Sequence, residues 1–218
     1  MEAQTTKLRP ELSDLPIRMT TLPVDERGYP VPWFVEWIDG QPEFRCMSAV
    51  KWRRAIKEKL CWVCGQKTGV WLAFVLGPMC GVTRTTVEPP CHLDCARWSA
   101  KNCPFLARPH MVRRGEEELE ARGAKSIGGV AIRRNPGVTL IWVCRTYNVW
   151  APKPGEKLIE VGDPDTVEFW KEGRTATRKE IDHSIETGLP KLREIAATQS
   201  GGLEELAKQV KAFERYLP

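Results

Sequence analysis

Hydrophobic and polar positions change period several times along the chain, and each change marks an element. In WFVEWIDGQPEFRCM, Trp33, Val35 and Trp37 alternate with Phe34, Glu36 and Ile38. Asp39-Gly40 supplies a turn and EFRCM alternates again, which predicts a β-hairpin. In SAVKWRRAIKEKL, Ser48 is placed to cap, and Val50, Ala55, Ile56 and Leu60 share a broad face, which predicts a helix over 48–60. GVWLAFVLGPMCGVTRTTVEPP holds two apolar, β-branched runs around Gly77-Pro78. They predict a second hairpin over about 70–76 and 81–88, ended by Pro89-Pro90. CHLDCARWSAKNC then opens as a helix, with Pro just ahead, Asp94 in the first turn, and Leu93, Ala96 and Ala100 suited to a helix.

The second half repeats this logic. Residues 107–129 are charged and read as an exposed helix or a connection, closed by Gly128-Gly129. Strands are predicted over 129–134 and 138–149, with Asn135-Pro136-Gly137 as their turn, and KLIEVG adds a short one. From Thr177, the residues Ile181, Ile185, Leu189, Leu192 and Ile195 recur at helical steps, and Pro190 is expected to break or kink the helix. After Ser200-Gly201-Gly202 the stripe resumes with Leu203, Leu206, Val210, Phe213 and Leu217. Such stripes pack on the sheet or on each other; a partner-binding helix is the alternative. The pattern therefore predicts an α+β fold of antiparallel β-hairpins and a C-terminal helical pair. Its expected organisation is an irregular N-terminal lead-in over 1–30, a hairpin–helix core over 31–108 that also holds the cysteine-rich segments, and a charged connection over 109–128. Strands plus C-terminal helices over 129–218 are expected to pack on the core as one domain.

Composition narrows the setting. The 218 residues are 42% hydrophobic and 28% charged, enough for a conventional core. The nine Trp are expected mostly in or near it. The polar N-terminus has no signal-peptide core, and the longest apolar stretch is too short for a bilayer and holds Gly and Pro. A soluble cytoplasmic protein with no membrane partner is expected. In that setting the eight Cys read as thiols and metal ligands rather than disulfides.

The cysteines have a pattern. Cys61-x2-Cys64-Gly65 has the form of a zinc knuckle, in which the glycine allows the turn that aims both sulfurs at one ion. His92 and Cys95 lie three apart at the start of the predicted helix, whose N-terminus favours a thiolate. Knuckle, hairpin and helix N-terminus form the layout of a treble-clef zinc finger. The expected ligands of a structural zinc ion are Cys61, Cys64, His92 and Cys95, written C-x2-C-x27-H-x2-C. Cys91 rivals His92, and Cys80 and Cys103 are further thiols. A redox pair, which normally ends a strand and precedes a helix, and plain buried thiols are the competing readings of Cys61 and Cys64. Cys46 and Cys144 are expected in the core.

No P-loop, dinucleotide fingerprint, G-x-S-x-G or H-E-x-x-H occurs, and His is limited to His92, His110 and His183. A treble-clef nuclease would carry a catalytic His on the hairpin, and the second predicted hairpin has none. His183 reads as solvated, and Glu116, Glu117 and Glu118 as a charged surface. Basic residues gather at Lys51, Arg53, Arg54, Lys57 and Lys59, at Arg108, Arg113 and Arg114, and at Arg133 and Arg134, interleaved with Trp52, Trp62 and Trp98. They suit a nucleic-acid or partner surface. The formal charge of only +5 permits nucleic acid without demanding it.

In RGYPVPWFVEWIDGQPEFR, LCWVCG, GPMCGVTR, EPPCHLDCA and NCPFL the chain resembles a family of uncharacterised proteins from bacteria and their phages. The likeness runs over most of 27–108 and more weakly to VEFWKEGRTATRKEI. It implies that His92 and Cys95 belong to the motif while position 91 need not be Cys, and it implies no activity. The expected function is a non-catalytic zinc-stabilised binding module with a protein or nucleic-acid partner, such as a phage or mobile-element regulator that inhibits a host factor. The alternative is a metal-dependent nucleic-acid-processing enzyme of treble-clef nuclease type.

Overall fold

In the computed structural model, residues 7–12, 14–108, 135 and 137–218 are described. The first hairpin forms where the alternation places it. β1 (Val35–Ile38) pairs antiparallel with β2 (Gln41–Met47), Ile38 opposite Gln41. Asp39 and Gly40 between them have φ of 52° and 73°, the positive values that a two-residue type I′ turn requires. α1 (Ala49–Glu58) follows, and Ser48 Oγ accepts the Lys51 N–H at 3.5 Å as its cap. Its buried face carries Trp52 and Ala55, whereas Val50 is 59% exposed. The buried stripe is thus rotated from the expected one, because the Trp52 indole finds a partner in the Val87 carbonyl at 2.7 Å.

The second expected hairpin does not form. β3 (Leu72–Leu76) fills its first arm, but Pro78–Thr83 is a short helix, α2, and the second arm shrinks to β4 (Thr85–Thr86). Pro78 sits at the helix start, where its missing N–H costs nothing and its fixed φ is already helical. β3 pairs instead with β5 (Thr139–Cys144), Leu72 opposite Cys144 and Leu76 opposite Leu140. β4 pairs with β7 (Leu158–Val161).

The strand expected over 138–149 is two strands, β5 and β6 (Tyr147–Trp150), which belong to different sheets. β8 (Pro164–Lys171) and β9 (Arg174–Thr175) complete the larger sheet, whose order is β3-β5-β8-β9. The smaller sheet runs β4-β7-β6, and both are antiparallel. The strand expected over 129–134 and the connection over 109–128 lie outside the described residues.

α3 (Leu93–Asn102) and α4 (Pro104–Ala107) follow the second half of the cysteine pattern. The C-terminal helices are α5 (Arg178–Ala197) and α6 (Gly202–Phe213). α5 runs through Pro190 without a break. Pro190 and Glu186, whose carbonyl loses its helical donor, are both exposed, so water can take that carbonyl. The chain reverses at Ser200-Gly201 instead. α5 begins with a capping box, in which Thr177 accepts from Glu180 N–H and the Glu180 carboxylate accepts from Thr177 N–H.

β5 is buried along its whole length, and alternation sends its side chains to two different cores. On one face of the sheet, Leu72, Phe74, Leu76, Leu140, Trp142 and Phe169 meet Val82 of α2, Ile181 of α5 and Leu206 and Phe213 of α6. On the other, Ala73, Ile141 and Val143 meet Cys95, Ala96, Trp98 and Ala100 of α3, joined by Leu12 and Met19 from the N-terminal segment. The fold is a mixed α+β arrangement with helices on both faces of one antiparallel sheet. No helix among the described residues is long and apolar enough to cross a membrane.

Candidate metal centre

Residues 60–67 form a tight turn. Leu60 and Lys67 bridge across its base, Cys61 N–H donates to Gln66 O at 2.7 Å, and Gly65 N–H donates to Cys61 O at 2.9 Å. Gly65 has φ +75°, and a Cβ there would lie 2.6 Å from Cγ of Trp33. Both the turn and the packed indole therefore require glycine. The turn is tied to neighbouring elements through Trp33 N–H to Val63 O at 2.7 Å and Trp62 N–H to Pro90 O at 3.0 Å.

Against this turn lies the N-terminus of α3. Cys91 pairs with Ala73 in both directions, at 2.7 and 2.9 Å, and fixes where the helix begins. His92 is the N-cap and Cys95 lies in the first turn. The donor atoms of Cys61, Cys64, His92 and Cys95 all lie within 4.8 Å of one another, and all four residues are buried. A tetrahedral zinc ion, with Zn–S of about 2.3 Å and Zn–N of about 2.0 Å, has donor–donor edges of about 3.5–3.8 Å. Cys64 Sγ and His92 Nδ1 are 3.4 Å apart, close to such an edge. This buried three-cysteine, one-histidine cluster can hold a metal ion.

The surrounding hydrogen bonds orient the donors. Cys61 Sγ accepts the backbone N–H groups of Cys64 and His92, each at 3.4 Å, which favours its thiolate. His92 Nε2 lies 2.9 Å from the Lys67 carbonyl oxygen. A carbonyl can only accept, so Nε2 carries a proton and Nδ1 is the nitrogen presented to the sulfurs.

Burial opposes the Cys61 thiolate, yet hydrogen bonds from Cys64, Cys91, Cys95 and His92 outweigh it and take the thiol far below its ordinary pKa. Hydrogen bonds to Cys61 and Cys64 push His92 up to about 10. Hydrogen bonding to Cys61, with burial, pushes Cys91 up, and hydrogen bonds to Cys61 and Cys64 push Cys95 up. The donors thus compete for protons over one anionic sulfur, the situation that a cation relieves by displacing protons.

Cys91 hydrogen-bonds Cys61 but stands outside the group of four. No two of the eight cysteines are joined by a disulfide. Cys46 and Cys144 are buried within strands. Among the described residues no other group of three or more His, Cys, Asp or Glu side chains converges in this way. His183 is exposed on α5, and the neighbouring Asp182 pairs with Arg178 at 2.8 Å.

The described basic residues have different surroundings. Lys51 turns inward and donates to the Val35 carbonyl at 2.8 Å. Arg54 forms a two-pronged pair with Glu58, at 2.9 and 3.1 Å. Arg53 and Lys57 are exposed on α1, and Arg108 is exposed after α4. Arg113 and Arg114, with His110, lie outside the described residues. Trp52, Trp62 and Trp98 are buried and offer no face for a base to stack on. Trp37, Trp71 and Trp150 are the exposed ones, at 42%, 47% and 46%. Nothing in local sequence separates these from buried tryptophans, since Trp37 alternates as a core residue would. Neither a protein-family model, nor a curated protein, nor a solved structure matches the chain.

Proposed function

We propose that the chain is a non-catalytic binding module whose cysteine-side core is held by one structural zinc ion on Cys61, Cys64, His92 and Cys95. The observation that carries this reading is the meeting of four buried donors from two separate elements within 4.8 Å. Three thiolates and an imidazole are a donor set that suits zinc, and four protein donors complete a tetrahedron with no open position for a reacting water. That completeness favours a structural role over a nuclease. The treble-clef likeness rests on the turn and the helix N-terminus. What separates them is β3, α2 and β4, with one bridge between Ala73 and Cys91 in place of a hairpin.

A protein partner fits better than nucleic acid. Two of the basic side chains on α1 are engaged within the molecule, and the tryptophans among them are buried. Elemental analysis with a thiol count tests the metal reading. One zinc per chain, with three thiols protected until a chelator is added, is the expected result. Metal-free protein with an unchanged melting temperature overturns it.

A further inference from the structure

A cleft of about 250 Å³ opens beside the cysteine turn, lined by Leu22, Pro32, Trp33, Trp37, Lys51 and Cys64 among others. It falls below the ~300–1,000 Å³ of pockets that enclose drug-sized ligands, and its size suits one or two side chains of a peptide. Apart from Thr21 and Lys51 the lining side chains are apolar or aromatic, and buried aromatics are common anchors at protein interfaces. Trp37 stands 42% exposed there.

One cation lies in this apolar wall. Lys51 donates to Val35 O at 2.8 Å, which uses one of the three donors of an ammonium. Burial lowers its pKa, and the nearby Glu36 raises it in opposition. A partly desolvated ammonium gains from a carboxylate brought to it, since the interaction strengthens as water leaves. The hairpin that carries Trp37 also carries the half-buried Glu36 and the exposed Asp39. Arg54, over the Trp33 ring at 5.7 Å, is paired with Glu58. A run of phosphates would meet those carboxylates as like charges, whereas a single acidic side chain can reach Lys51 alone.

We propose that the cleft between Trp33 and Trp37 docks an extended segment of a protein partner, taking a large apolar side chain between the indoles and an adjacent Asp or Glu on Lys51. The inference rests on the reading of the chain as a metal-held binding module. Trp33 is fastened to the cysteine turn by its N–H to Val63 O and by its packing on Gly65, and Cys64 is both cleft wall and donor. The centre and the cleft are therefore built on the same few residues.

The test uses the full chain and an immobilised library of nine-residue peptides whose central residue is Asp or Glu, or the matching Asn or Gln, with random flanks. A 15-residue oligothymidylate is titrated in parallel, and metal content is measured on every sample. The expected result is selective capture by acidic peptides with a neighbouring Leu, Ile, Phe or Trp. Lys51→Met weakens that capture by about tenfold and removes the preference for acid over amide. Trp37→Ala abolishes capture, and both variants keep the wild-type metal content and melting temperature.

Equal capture of acidic and amide peptides, binding that survives Trp37→Ala, or no capture by metal-loaded protein overturns the proposal. So does oligothymidylate binding that depends on Lys51, which assigns the cleft to nucleic acid. Metal-free wild-type protein that still captures acidic peptides overturns the zinc reading and leaves the cleft standing.

Discussion

The two faces of the β3-β5-β8 sheet are built differently. The face toward α2, α5 and α6 is filled by Phe74, Leu140, Trp142, Phe169 and Phe213, and includes an edge-to-face contact of Phe169 with Phe213 at 6.4 Å. The face toward α3 is lined by Ala73, Ile141, Val143, Ala96, Ala100 and four buried cysteines, with Trp98, Leu12 and Met19 as its larger side chains. Large side chains bury ~150–250 Å² each when aromatic, and area removed from water is the main source of stability. Alanines and thiols bury far less. The first face can hold itself by packing, while the second gathers buried polar donors whose cost a bound ion would offset. A two-sided sheet thus needs two cores, and these two need not be stabilised by the same physics.

The largest expected effect is the loss of a donor. Cys64→Ser should lose the ion and at least about 5 kcal/mol, a large share of the ~5–15 kcal/mol of an ordinary domain. Metal analysis and thermal melting read both, and an unchanged melting temperature breaks the comparison.

On the other face, Phe74→Ala removes a side chain with no solvent exposure and should cost about 3–5 kcal/mol. Its metal content should stay at the wild-type value. Loss of metal in this variant would mean that the two cores are one cooperative unit rather than two distinct ones.

A finer contrast lies within the cysteine face. His92→Ala should weaken metal binding by at least about 100-fold, above the effect of losing an outer-shell partner. Cys91→Ser should leave stoichiometry unchanged and cost about 1 kcal/mol. Competition with a zinc indicator measures both, and the reverse order would make Cys91 the fourth ligand.

The smallest effect is expected at the start of α5. Hydrogen bonds from Arg174 and Thr177 hold the Glu180 carboxyl below its ordinary 4.5. A lowered carboxylate contributes stability that is present above the unfolded value and is lost as pH falls through the folded one. Glu180→Gln should therefore melt slightly below wild type at pH 7, by roughly 0.5–1 kcal/mol for the weakened capping box. The gap should narrow as the pH drops below 4.5. A gap that is constant with pH would show that charge at Glu180 plays no part.

Much of the site was legible because its parts are local. Cys61-x2-Cys64-Gly65 describes one turn, and His92-x2-Cys95 describes one helix start. The first hairpin was legible for the same reason, since its alternation and its Asp39-Gly40 turn are neighbours in sequence. β8 was missed although Val167, Phe169 and Trp170 favour a strand and Glu172-Gly173 marks its turn with φ of 51° and 75°. α2 was missed because Val82, Thr83, Thr85 and Thr86 favour strands, and Gly77-Pro78 was read as a hairpin turn rather than a helix start.

The sequence by itself determined the donor residues, the turn that pairs the first two cysteines, and the amphipathic stripes of α5 and α6. Each follows from steric rules and periodicity within a few residues. Tertiary structure alone decided that β3 pairs with β5, that the cysteine turn and the start of α3 bring their four donors together, and that Trp37 is exposed while Trp52, Trp62 and Trp98 are buried. These outcomes depend on contacts between residues far apart in the chain. A strand's hydrophobic pattern says that both faces will be covered, and only the assembled elements decide what covers each one.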